Sequence, residues 1–363
     1  MSPTHRLFRF IGLTSIVLAL GCKLPEAGPA TVTDSAGLVR FSDASLHPVV
    51  LTGAPLLESD KIGRPGQMRL IGDLLWVSDR SGDPYIHVVA TKRGSLLRSY
   101  GASGEGPGDF VSISMMSVRP GDLHGPWVFD GSVRRMTRLY ADTVDSKPRI
   151  IAARFDGLSW IGIWLGANRL VSVGDLDTNR YTLFDTTGAR IATVAGALPG
   201  ADSVDIEARR NVGTGVLLCA SPEAGRFATL YVGAGRIDIL DTTATLVGHA
   251  AVPFPSDGEF RRSADGRWHS GDIWRHYADC AATPKYLYAL FAGHRTDGSP
   301  GGGIPVLALH VHVFDWSGKL IEVLRLDRDA STLAVAGDSI LYTGSEGKGL
   351  YRYRLPPVTA GGQ

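Results

Sequence analysis

Residues 100–110 read Tyr-Gly-Ala-Ser-Gly-Glu-Gly-Pro-Gly-Asp-Phe. Four glycines and a proline in eleven residues are incompatible with the interior of a helix or strand, so the segment separates regular elements. Strand-like sequence lies on both sides of it. Weaker copies follow the same grammar: Ile62-Gly-Arg-Pro-Gly-Gln-Met68, Gly196-Ala-Leu-Pro-Gly200 and Phe254-Pro-Ser-Asp-Gly-Glu-Phe260. A glycine-rich seam that recurs implies a unit that recurs.

The unit is visible in the apolar runs. A short strand ending near Gly, Ser or Asp begins at Leu74, Pro126, Arg169, Ala228, Tyr286 and Ser339, at spacings of 52, 43, 59, 58 and 53 residues. Five of the six are followed by a hairpin, such as Tyr181–Asp185 with Arg190–Val194 and Val311–Asp315 with Leu320–Leu324. An earlier strand precedes most of them: Gln67–Ile71, Val111–Val118, Trp160–Leu165, Val216–Cys219 and Thr332–Ala336. Four strands per repeat of about 40–60 residues is the signature of a β-propeller. The strands are apolar at nearly every position, as blades packed on both faces require. Asp185-Thr-Thr-Gly188 and Asp315-Trp-Ser-Gly318 place a carboxylate where it accepts turn N–H groups and a glycine where φ is positive; Asp241-Thr-Thr-Ala244 lacks the glycine. These aspartates are turn formers.

The sequence therefore predicts an all-β, six-bladed propeller of four-stranded antiparallel blades over residues 46–357, with a disordered tail at 358–363. The last repeat is one strand short. Pro48–Thr52 is the expected donor, closing the ring by joining both ends of the chain.

Bulk numbers agree. The 363 residues carry 45 glycines, 44% hydrophobic residues and a net charge of +1. No clustered basic face suggests nucleic acid as a partner. Ahead of the repeats, His5, Arg6 and Arg9 precede an apolar run from Phe10 to Leu20 and then Gly21-Cys22. That is the layout of a secretory signal over residues 1–21, and the run is short for a bilayer span. Without Arg6 and Arg9, 35 basic residues face 36 acidic ones, a net of −1.

Ala19-Leu20-Gly21-Cys22 resembles the lipobox of bacterial lipoproteins, which implies lipidation of Cys22, and the Lys23 that follows implies the outer membrane in a two-membrane cell. Residues 22–45, small and polar with Pro25 and Pro29, read as a flexible tether. The Gly-x-Gly-Pro-Gly-Asp-Phe seam, with strands ending in Val-Phe-Asp, resembles the six-bladed, NHL-repeat-like propellers of exported bacterial lipoproteins. The resemblance spans about Leu56–Leu355 and is weakest in the fourth unit. It implies the fold but leaves function open, since such propellers include scaffolds and enzymes alike.

Chemistry-bearing motifs are sparse. Asp175-x-Asp177-x-Asn179 opens like a calcium loop, yet Arg180 stands where glycine is needed and Thr186 where the bidentate Glu belongs. Ser345-Glu-Gly-Lys348 lacks the companion motifs of a serine–lysine site. His310 and His312 share a strand face and could hold zinc, but packing between blades is the simpler role. Cys219 and Cys280 are the other thiols; export permits a disulfide, whereas fanning of adjacent innermost strands works against one.

The richest segment is the connection from Ser256 to Thr283. Arg267, Trp268, His269, Trp274, Arg275 and His276 nominate it as a ligand-binding loop for a protein, peptide or carbohydrate, against the alternative that its tryptophans cap the core. The expectation is a monomeric, membrane-tethered binding or scaffold module of the envelope, with no cofactor. The alternative is a propeller hydrolase or lyase with a metal in the central channel, which needs carboxylates and His or Asn converging from several blades.

Overall fold

The structure is a computed structural model that describes residues 32–33, 39–40, 48–58, 60–140, 149–151, 161–173, 180–194, 216–232, 236–251, 260–262, 268–270, 273–296 and 307–357. Six antiparallel sheets follow one another along the chain as blades around a channel. Blade 1 is Pro65–Ile71, Leu74–Asp79, Ile86–Ala90 and Ser95–Tyr100, in that order from the channel outward. Blade 2 is Ile113–Ser117, Trp127–Asp130, Arg135–Arg138 and Arg149–Ile151, and blade 3 is Gly162–Gly166, Arg169–Val173, Tyr181–Phe184 and Arg190–Val194. Blade 4 comprises Val216–Ser221, Arg226–Tyr231, Arg236–Asp241 and Leu246–Ala251. Blade 5 has longer strands, Ile273–Ala282, Tyr286–Thr296, Ala308–Asp315 and Leu320–Ala330. Blade 6 is Thr332–Ala336, Ile340–Ser345 and Gly349–Arg354, completed by Ala54–Leu57.

The ring is closed from the N-terminal side, but by a different strand from the one expected. Ala54–Leu57 pairs antiparallel with Gly349–Arg354, placing Leu57 opposite Leu350 and Ala54 opposite Arg352. Val49–Leu51, the core of the expected donor Pro48–Thr52, instead runs parallel to the outermost strand of blade 5, Leu51 opposite Leu326. Gly53 makes the step between the two blades. A Cβ there would lie 2.6 Å from the Tyr353 ring, so only glycine fits without displacing it. The segment expected to be a flexible tether contributes four described residues. Val32–Thr33 and Val39–Arg40 form a short antiparallel pair, and Val39–Arg40 runs parallel to the outermost strand of blade 4.

The core is distributed. Among the described residues, six apolar clusters occupy the six junctions between neighbouring blades. Trp76, Phe110, Met116 and Val128 fill the junction of blades 1 and 2, and Leu230, Ile239, Tyr277 and Phe291 that of blades 4 and 5. This two-sided burial accounts for strands that are apolar at nearly every position.

The turns behave as their residues require. Asp185 Oδ1 accepts the N–H of Thr187 at 2.8 Å, its hydroxyl at 2.6 Å and the Ala189 N–H at 3.0 Å. Asp241 repeats the pattern with Thr243 and Thr245, and Asp315 with Ser317 and Lys319. The left-handed position is Gly188 at φ 87°, Gly318 at φ 92° and, without glycine, Ala244 at φ 63°.

Residues 100–110 cross from the outer edge of blade 1 to the innermost strand of blade 2. The seam folds on itself through Phe110 N–H to Ala102 O at 3.0 Å and Gly104 N–H to Phe110 O at 3.1 Å. The Arg135 guanidinium, from the third strand of blade 2, donates to the carbonyls of Glu105 and Asp109. Phe110 is fully buried and anchors the crossover between the blades.

Candidate functional site

The six residues nominated from sequence do not form one loop. Arg267 lies outside the described residues. Trp268 and His269 sit on a short hairpin strand, Trp268–Ser270, paired with Phe260–Arg262. Trp274, Arg275 and His276 belong to the innermost strand of blade 5, with Trp274 opposite Arg295 and Arg275 opposite His294. His276 is buried; its main-chain N–H donates to Val232 O at 2.7 Å, and burial lowers its imidazole pKa to about 4. The ring is therefore neutral at physiological pH and packs 6.4 Å from Phe291. His312 is also buried and stacks on Phe291 with centroids 4.3 Å apart. Of the calcium-like segment, Arg180 pairs with Asp238, while residues 174–179 fall outside the described set. Lys348 of the serine–lysine match closes a turn on the Ser345 carbonyl and pairs with Asp329.

The innermost strands converge on a channel with a cavity of about 260 Å³, to which all six blades contribute. Most of its lining residues carry apolar side chains, Leu70, Val118, Ile163, Trp164, Leu218 and Val335 among them. Side chains tie neighbouring innermost strands together around it. Gln67 of blade 1 donates to Ser114 O at 3.0 Å and accepts from Met116 N–H at 2.7 Å. Ser117 Oγ of blade 2 accepts Trp164 N–H of blade 3 at 3.0 Å. Blades 4 and 5 are joined by a disulfide between Cys219 and Cys280. Asp279 of blade 5 accepts the Thr332 hydroxyl at 2.5 Å and the Leu333 N–H at 3.0 Å from blade 6. Ser331 of blade 6 donates to Pro65 O of blade 1 at 3.2 Å.

Of the charged residues, Arg69 and Glu223 line the cavity, and Asp279, buried behind it, is close enough for its charge to act on Arg69. Arg69 donates from Nε to Met116 O at 2.9 Å and from Nη1 to Met68 O at 2.7 Å. Desolvation lowers its guanidinium pKa, against the upward pull of the Asp279 charge. Asp279 is buried, and that burial pushes its carboxyl up, opposed by the Arg69 charge and by the donors from Thr332, Leu333 and Cys280. Its oxygens are engaged by those donors, with Cys280 N–H at 2.9 Å. Glu223 is exposed at the lip of the cavity.

Two polar clusters away from the channel hold blades in place. Asp79 accepts N–H groups from Gly63, Arg64 and Ser81 at 2.7–2.9 Å, fixing the incoming seam, and faces His87 Nε2 at 3.4 Å. Burial alone would raise its carboxyl, but His87 and the three N–H donors outweigh burial and hold it well below the usual range. His87 Nδ1 in turn meets Ser99 Oγ at 2.8 Å. Asp130 does the same in blade 2, accepting Val111 N–H at 2.7 Å and Ser132 N–H at 3.0 Å. In both cases the backbone uses the carboxylate, which makes the role architectural. Among the described residues no three His, Cys, Asp or Glu side chains gather as a metal site would need.

Sequence reasoning passed over Gln67, Arg69, Ser117 and Ser331. The available signal was that polar side chains interrupt otherwise apolar innermost strands.

A model of the TolB-like 6-blade propeller family matches residues 49–338. Among solved structures, a Bacteroides fragilis protein described as exported is 11% identical, with 84% of this chain and 95% of that chain covered at a TM-score of 0.53. The β-propeller domain of Cps50 (Swd1) from Myceliophteria thermophila is also 11% identical; it covers 81% of this chain and 97% of its own at a TM-score of 0.40, a loose likeness. No curated protein matches the chain. The matched span runs from the strand beside blade 5 into blade 6, and so takes in blades 1 to 5 whole. With six four-stranded units set around one channel, the chain belongs to the TolB-like six-bladed propeller family.

Proposed function

We propose that the protein is exported, anchored through a lipid on Cys22, and serves as a binding or scaffold module of the cell envelope whose ligand enters the central channel. The observation that carries the reading is the use made of the polar side chains on the innermost strands. Gln67, Ser117 and Asp279, with Ser331 just ahead of the innermost strand of blade 6, hydrogen-bond to the neighbouring blade and brace the channel around a cavity lined mostly by apolar side chains. A preformed cavity that sets polar groups among apolar side chains suits recognition, because little order is lost on binding. Export is supported by the basic and apolar leader ending at Cys22 and by the Cys219–Cys280 disulfide, a bond that persists in oxidising compartments.

Two measurements test this. Metabolic labelling with a radioactive fatty acid should mark the wild type and not Cys22→Ala, and the variant should leave the membrane fraction. An unlabelled wild type would overturn the anchor. A photo-crosslinking residue at Glu223, on the cavity lip, should yield a discrete adduct in cells, whereas one at Leu97, exposed on the outermost strand of blade 1, should not. Stoichiometric, tightly bound Ca²⁺ or Zn²⁺ in the purified protein would favour the enzyme instead.

A further inference from the structure

The channel contains a guanidinium that the fold does not use up. Arg69 has five N–H donors, and its hydrogen bonds to Met116 O and Met68 O account for two of them. Among the described residues no carboxylate lies within ion-pair distance of it. Asp279, the nearby opposite charge, is 5% exposed and engaged by Thr332, Leu333 and Cys280. Arg69 lines the cavity, and the two main-chain carbonyls fix its orientation there. A partly desolvated cation held in place beside an apolar wall matches a ligand with one negative end and an apolar body.

We infer that the channel binds a small monocarboxylate, its carboxylate on the Arg69 guanidinium and its apolar body against Leu70, Ile163 and Trp164. The inference rests on the reading of the channel as the binding site and names the ligand class. A cavity of about 260 Å³ falls just under the ~300–1,000 Å³ of drug-sized sites, so the occupant is short. The same chemistry has two sources: a free organic acid, or the C-terminal carboxylate of a peptide.

The test uses the mature full-length protein in detergent, with intrinsic tryptophan fluorescence and calorimetry as readouts. Hexanoate is compared with hexanol, and N-acetyl-Ala-Leu bearing a free carboxylate with its amide. The carboxylate of at least one pair should bind about tenfold or more tightly than its neutral counterpart, the usual return on a charge-assisted bond. Whichever pair shows the difference identifies the source. Arg69→Gln should abolish the preference and leave the neutral probe unchanged. Because Arg69 also ties blade 1 to blade 2, thermal unfolding is checked, and Ala282→Phe provides a second variant that fills the cavity while leaving the guanidinium in place. It should weaken acid and neutral probe alike. Equal affinity for acid and neutral partner, retention of the preference in Arg69→Gln, or no binding of any probe would each overturn the inference. The Glu223 crosslink is read without these probes, so the broader binding role stands or falls separately.

Discussion

Cys219 and Cys280 sit on the innermost strands of blades 4 and 5 with Cα atoms 6.1 Å apart, and a disulfide joins them across the junction. Innermost strands of adjacent blades converge on the channel, which brings the two thiols within bonding reach. The bond closes a loop with a sequence separation of 61 residues. Restricting an unfolded loop of that size stabilises the native state by about 2–4 kcal/mol. The double variant Cys219→Ala/Cys280→Ala should lose that amount in urea unfolding. Added reductant should reproduce the loss in the wild type. An unchanged midpoint would mean that packing of Tyr277 and Phe291 holds this junction without the bond.

Asp238 governs acid sensitivity at the junction of blades 3 and 4. Burial would raise its carboxyl, but His249, Arg180 and Arg236 outweigh burial and hold it at about 2. A carboxylate lowered in the folded state stabilises above its unfolded value near 4, and that stability drains away as pH falls through 2. The contribution is about 2 kcal/mol, lost between roughly pH 5 and pH 1. Asp79 acts in the same direction. Asp279 acts oppositely: its raised carboxyl favours folding at low pH and loses that advantage as pH rises above about 4. Asp238→Asn should flatten the acid limb of the stability profile. At pH 7 it should cost about 3–5 kcal/mol, because Arg180 and Arg236 would lose a buried partner. Urea midpoints at pH 3, 5 and 7 measure both effects.

What the sequence made legible was local. Asp185, Asp241 and Asp315 declare their turns because donor and acceptor lie within four residues of each other. The glycine seam is legible for the same reason. The choice between Val49–Leu51 and Ala54–Leu57 as the closing strand is not, because it is made by partners almost the whole chain away: Asp327, which accepts Gly53 N–H at 3.3 Å, and Tyr353. Trp274–His276 looked like a connector because alternation fails there. Pairing slips between Arg275 and Tyr277 and again between Tyr277 and Asp279, so the strand's inward face changes twice in five residues. Arg69 was visible as a letter, but only the ring places Met116 O beside it and leaves Asp279 occupied elsewhere.

Ala244 holds the left-handed turn position that glycine takes in the two sister hairpins. An L-residue there costs about 1–2 kcal/mol. Ala244→Gly relieves that strain, gives up one small buried methyl and loosens the unfolded chain, so the net gain should be under about 1 kcal/mol. The reverse change, Gly318→Ala, should destabilise by more than 1 kcal/mol, because a Cβ there would also lie 3.1 Å from the His249 backbone. Chemical unfolding of the two variants checks the signs. A destabilised Ala244→Gly would show that the methyl packs better than the turn is strained.

The N-terminal strands divide their work unequally, and truncation separates them. A chain beginning at Gly53 lacks Val49–Leu51 but keeps Ala54–Leu57, so every blade retains its four strands. It loses the burial of Leu51, about 1.5–3 kcal/mol, and should still fold. A chain beginning at Asp60 also lacks the closing strand. Gly349–Arg354 would then be an open edge, and Leu350 and Tyr342 would lose the cover of Leu56 and Leu57. An exposed apolar edge is a template for association, so this chain should appear in aggregates. Size-exclusion chromatography and urea unfolding of the two products decide the matter. If the shorter chain is monomeric and as stable as the longer one, blade 6 stands on three strands and the ring does not depend on its N-terminal closure.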